Sequence, residues 1–183
     1  MENENTILDE NILEVDTTIE PQYIISVPKF IILSIVSFGI YRTWWQYKAW
    51  RFYKQKEKSD ISPVARTIFS VFYLNSLFNK IQDSAIEKGY SERYSSVGLF
   101  IGVLVAGALS KLPQPFGLIT ILSFIFFIPP FKALNYAKQN TSDINVIEQE
   151  GFNGRQIGLI VFSLLILMLL LILLSFARNM SRA

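Results

Sequence analysis

Residues 157–177 form an unbroken run of 21 residues without a charge, closed by Arg178 and Arg182. Wound as a helix the run is about 31 Å long, which matches a hydrocarbon core of ~30 Å. A chain that carries such a segment is expected to reside in a bilayer. Composition agrees: 51% of residues are hydrophobic and 17% charged, against about a quarter charged in soluble domains. The apolar residues arrive in long blocks between charged loops, not at the spacing of a soluble core.

Four further blocks are expected to be helical. Residues 30–41 are uncharged but too few to cross alone, so a span over 27–45 requires Lys29 to snorkel outward and the following aromatics to occupy the headgroup zone; a re-entrant or interfacial helix is the alternative. A second span over 63–82 starts at Ser62, suited to an N-cap, and Pro63, suited to the first helical position. Residues 94–110 and 115–131 form a helical hairpin reversing near Lys111, Pro113 and Pro115, with Pro129 and Pro130 expected to end its second arm. Residues 132–156 read as a polar connector with turn formers Asn135, Asn140, Asn145, Gly151, Asn153 and Gly154. The expected fold is an all-α integral membrane bundle of about five segments, four if the first does not cross. It forms one domain over 23–182, preceded by an acidic tail over 1–22.

Charge is segregated. The tail holds seven acids and no base, with a strand or docking segment near 7–15 as the alternative to disorder, and it lacks a signal-peptide pattern. Residues 42–66 hold seven bases against Glu57 and Asp60, which places that loop in the cytoplasm by the positive-inside rule. Five alternating crossings then put the tail and the 83–93 and 132–156 connectors outside, and the C-terminus, with Arg178 and Arg182, in the cytoplasm.

Chemistry is constrained by what is missing. The sequence has no Cys and no His, which removes thiol nucleophiles, the usual zinc ligands and the commonest general base. All fifteen acids lie in the tail or connectors, so a coupled transporter or an intramembrane aspartic protease lacks its ionisable site. No cofactor, metal site or catalytic residue is expected, and the chain reads as a non-enzyme.

Three groups stand out. Arg42, Trp44, Trp45, Lys48, Trp50 and Arg51 interleave bases with all three tryptophans, the pattern of an aromatic belt at the lipid interface. They offer anionic lipid about 1 kcal/mol per base; plain anchoring is the simpler reading, and nucleic-acid binding is a poor third. Asn75 and Asn79 share a helix face and suit an interhelical hydrogen bond, or less readily a polar path. Gly98, Gly102, Ala106 and Ser110 recur every four residues as a close-packing face, within the chain or between copies.

Gly39-Ile40-Tyr41, the run from Trp44 to Trp50, and Ile61-Ser62-Pro63 ahead of an aromatic apolar span together resemble a family of small bacterial multi-pass membrane proteins known only as a domain of unknown function. The likeness covers about 28–82. It implies a bacterial inner-membrane location and supplies no activity. The small-residue face, the acidic tail and the lack of reactive groups make the expected function a scaffold or subunit of a membrane complex, with a homo-oligomer or another membrane protein as partner; a passive channel or carrier for a small solute or lipid, suggested by Asn75, Asn79 and the hairpin, is the alternative.

Overall fold

The computed structural model describes residues 19–109, 111–112, 116–142 and 144–180. In chain order it contains strand β1 (Gln22–Ile24), helices α1 (Val27–Val36), α2 (Ile40–Lys56), α3 (Pro63–Ile68), α4 (Ser70–Glu87) and α5 (Ser96–Leu109), a 3₁₀ helix (Phe116–Phe127), α6 (Ile128–Gln139), β2 (Val146–Glu148) and α7 (Gly154–Met180). The protein is mostly helical. The two strands form a parallel ribbon with Gln22 opposite Val146 and Ile24 opposite Glu148.

Most of the expected spans are cut short by identifiable local chemistry. The first is broken between α1 and α2, where Phe38 and Gly39 take positive φ values of 51° and 89°. Phe38 N–H donates to Ile35 O and Gly39 N–H to Ser34 O, so the carbonyls at the end of α1 are closed by a left-handed cap that turns the chain. The ten residues of α1 extend about 15 Å, half the hydrocarbon thickness. Lys29 does not snorkel; its ammonium donates to the carbonyls of Gln149, at 2.6 Å, and Glu150.

The second segment starts as expected, with Ser62 Oγ accepting from Ala65 N–H and Pro63 in the first turn, but it breaks at Phe69 before α4 begins. Pro129 and Pro130 do not end the second hairpin arm; they open α6, whose first turn needs no N–H from them. The 132–156 connector is consequently half helix, and Asn135 lies inside α6, donating its amide to Ile25 O at 2.9 Å. Of the expected tail, residues 1–18, including 7–15, lie outside the described residues, while Glu20 pairs with Arg51 and Gln22 opens β1.

Among the described residues, α7 is the one helix long and apolar enough to cross a membrane. It begins on a reciprocal cap. Asn153 Oδ1 accepts from Gln156 N–H at 2.9 Å, and Gln156 Oε1 accepts from Asn153 N–H at 3.0 Å, which satisfies two otherwise orphaned donors. The Gln156 amide also donates to Tyr41 Oη and Gln149 Oε1, both at 3.3 Å, tying the foot of α7 to α2. Beyond Ser163, which is buried, its large apolar side chains stand exposed on every side.

The core is aromatic. Phe30 stacks on Phe131 with ring centroids 4.3 Å apart and meets Trp45 edge-on at 5.9 Å. Phe127 receives Trp45 and Phe78 in T-shaped contacts. Together with Trp50, Phe52, Tyr53, Leu77, Ile81 and Leu134 these side chains fill the space between α1, α2, α4, α6 and the end of the 3₁₀ helix.

Candidate functional site: a cationic cluster at the foot of the long helix

The six interleaved bases and tryptophans of 42–51 are dispersed by the fold. Trp45 and Trp50 are buried in the core, and Trp44 is the one exposed tryptophan, 45% accessible. Arg42 turns inward to donate to Ser123 Oγ and lies 4.9 Å over the Phe127 ring. Trp50 is covered by Arg66, whose guanidinium carbon lies 4.5 Å from its ring. The aromatics surround α2 because α2 is the central helix of the bundle and buries several faces, so a belt facing lipid is reduced to Trp44. Lys48 and Arg51 remain on a half-buried face of α2.

The asparagine pair does not form the expected interhelical bond at the carbonyl of Asn75. That Oδ1 is buried and accepts no hydrogen bond, while Asn79 is exposed. The small-residue face is used in part and within the chain. A Cβ placed on Gly102 would lie 2.3 Å from the Phe126 ring, and Ala106 is buried, so α5 packs closely on the 3₁₀ helix at these two positions. Gly98 is exposed with only Ser95 beneath it, and Ser110 lies outside the described residues.

One residue the sequence does not announce organises the site. Lys138, in the last turn of α6, is only 6% exposed, and its ammonium sits 5.0 Å above the Phe52 ring. Lys48 stands one turn before Phe52 on α2. Arg51–Glu20, Lys80–Glu57 and Lys132–Glu92 are ion pairs, and among the described residues no carboxylate lies within ion-pair reach of Lys138 or Lys48. Burial first, and then the Lys48 charge, pushes the Lys138 amine down to about 7. Lys48 is itself lowered, first by burial and then by Arg51 and Arg155, against an opposing effect of Glu20. Lys48 therefore feels the charges of Arg51 on its own helix and of Arg155 in the first turn of α7. The geometry of the region is thus Lys138 over the Phe52 ring and Arg51 paired with Glu20. An excess of positive charge of this kind favours anions over cations.

A concavity along Met168, Leu171, Ile172, Ser175, Phe176 and Asn179 is the flank of one helix and encloses nothing. No protein-family model, curated protein or solved structure matches this chain.

Proposed function

We propose that this chain is a non-enzymatic membrane protein of the bacterial inner membrane, a scaffold or subunit of a membrane complex, built as a polar half in water and an apolar half in lipid. The observation that carries the reading is where large apolar side chains are exposed. They cluster in residues 32–44, 64–73, 97–105, 122–125 and 157–180, with Tyr23, Leu112 and Ile147 outside these clusters, and among the described residues none occurs in 45–63, 74–96 or 126–146. Those last three stretches supply most of the buried core. One half is thus folded as a soluble protein folds, apolar inside. The other half is apolar outside, a surface that water penalises and lipid accepts.

In this reading α7 makes one full crossing, and α1, α3, α5 and the 3₁₀ helix dip into the same leaflet. The fourteen residues of α5 extend about 21 Å, too short to traverse ~30 Å. The topology obtained by simple alternation is revised accordingly. It puts the 83–93 and 132–156 connectors across the bilayer from 42–66, yet Tyr136 Oη donates to Lys88 O at 3.4 Å and Lys138 lies over Phe52. These contacts support one shared side. The seven bases of 42–66 make that side cytoplasmic, so α7 leaves from it and ends outside, with Arg178 beyond the crossing.

The free circumference of α7 after Ser163 is the surface offered to partner helices. A passive channel or carrier finds less support, because the two asparagines expected to line it divide between a half-buried and an exposed position. The test is photo-crosslinking in native membranes from Leu165 and Phe176, preceded by an alkaline carbonate wash. Retention with adducts of discrete protein mass supports the proposal. Release by carbonate overturns membrane residence, and adducts to lipid alone overturn the scaffold role.

A further inference from the structure

We propose that the acidic segment ahead of β1, residues 2–16, docks on the basic face of α2 in the same molecule and covers Lys48, Arg51, Lys54 and Lys58. The last acid of the same run, Glu20, already makes such a contact: it pairs with Arg51, and Ile19 beside it packs against the aromatic core. The segment is thus tethered at the face it covers.

Spacing extends that contact along the helix. Lys48, Arg51 and Lys54 follow one another every three residues on α2, and Lys58 stands just past its end, so the bases line one side of the helix. Arg51 is paired with Glu20, whereas among the described residues no carboxylate lies within ion-pair reach of Lys48, Lys54 or Lys58. Glu57, at the end of α2, is committed to Lys80.

The segment matches this face in charge and in reach. It holds Glu2, Glu4, Asp9, Glu10, Glu14 and Asp16 and no base. Asp16 and Glu14 precede Glu20 by four and six residues, so extended chain carries them as far as about 14 and 21 Å from it. Lys48 and Lys54 each lie only about 4.5 Å along the helix axis from Arg51. One exposed ion pair shifts an equilibrium roughly fivefold at most. Tethering at Ile19 and Glu20 makes each further pair intramolecular, at an effective concentration on the order of millimolar, so several pairs act together. Docking puts the segment on the same side as the second half of α2, against the placement that alternating crossings give. It does not depend on whether α7 crosses a bilayer.

The test is zero-length carbodiimide coupling of carboxylates to lysine amines in the full chain, in neutral detergent at low salt. Heavy and light isotopic forms of the protein are mixed, and linked peptides are identified by mass spectrometry. Links from residues 2–16 to Lys48, Lys54 and Lys58 are expected to be about fivefold more abundant than links to Lys88 and Lys132, which are also exposed. They are expected within single copies, and to fade at about 1 M salt, where the screening length is ~3 Å. Lys58→Glu, on an exposed side chain, is expected to cut the links to Lys54 about fivefold with the melting temperature unchanged, while Lys58→Arg keeps them.

Links spread evenly over Lys88 and Lys132, links unmoved by salt, or no links from residues 2–16 overturn the docking. Heavy–light pairs overturn the intramolecular cover, because the segment then reaches a second copy. Membrane residence is scored apart by the carbonate wash, so failure of either reading leaves the other standing.

Discussion

Phe38 and Lys58 hold left-handed backbone, φ 51° and 47°, where an L side chain crowds its own carbonyl. Both close helices, and Gly89 does the same job at the end of α4 with φ 90°. Because Lys58 is exposed and its conformation is fixed by the Ser59 N–H to Lys54 O bond, Lys58→Gly is expected to stabilise the protein by about 1 kcal/mol. At Gly89 an added Cβ meets nothing closer than Tyr136 Oη at 3.7 Å, so Gly89→Ala is expected to cost about 1 kcal/mol through backbone strain alone. Denaturant melts of the two variants check both signs. Lys138 makes stability depend on pH. Its amine is lowered from the ordinary lysine range to about 7 in the folded chain, so between about 7 and the unfolded value near 10.4 the unfolded state binds more protons. Stability is therefore expected to rise with pH across that window, by ~1.4 kcal/mol per unit at most, and Lys138→Met is expected to flatten the rise. Melting temperatures at graded pH, in the absence of anionic lipid, read the slope.

At the level of elements, the tightest packing is between α5 and the 3₁₀ helix. Gly102 gives the Phe126 ring its place, and Gly102→Val is expected to destabilise the protein by about 1–3 kcal/mol; in a Phe126→Ala background the penalty should shrink, which a double-mutant cycle measures. What the sequence discloses of these elements depends on range. The charge-free length of α7 and the Ser62-Pro63 helix start are local properties, and both are visible in the residues themselves. The fate of Trp45 and Trp50 is not, because an indole satisfied by a lipid interface is equally satisfied by a core, and the core here comes from Phe30, Phe127 and Phe131 in other elements. Pro129 and Pro130 were ambiguous for a related reason: proline punctuates both the end of one helix and the first turn of the next. Lys138 carries no local signal, since its burial is decided by Phe52 far earlier in the chain. The Asn153 and Gln156 pair, by contrast, is a readable capping signature ahead of an apolar run, and it fixes where α7 starts.

For the whole molecule, the division into a polar and an apolar half turns orientation into a question of geometry more than of counting crossings. The ends of α2, α4 and α6 are joined by Tyr53 Oη donating to Lys80 O at 3.3 Å, by Tyr136 Oη donating to Lys88 O, and by Lys138 over Phe52. A bilayer cannot pass between groups in such contact. The foot of α7 is fastened to the same half through Gln156 and Tyr41, so a crossing by α7 carries Asn179 to the opposite face whatever the dipping helices do. The chain contains no cysteine, which makes the consequence directly measurable with single introduced thiols and a membrane-impermeant maleimide. Lys56→Cys, Glu87→Cys and Gln139→Cys are expected to be shielded in intact cells and to react only after permeabilisation, while Asn179→Cys is expected to react in intact cells. Five alternating crossings require a different pattern, with position 56 and position 179 protected together and positions 87 and 139 labelled from outside. The two arrangements therefore disagree at three of the four positions, and the label at position 139 alone separates them at the end of α6.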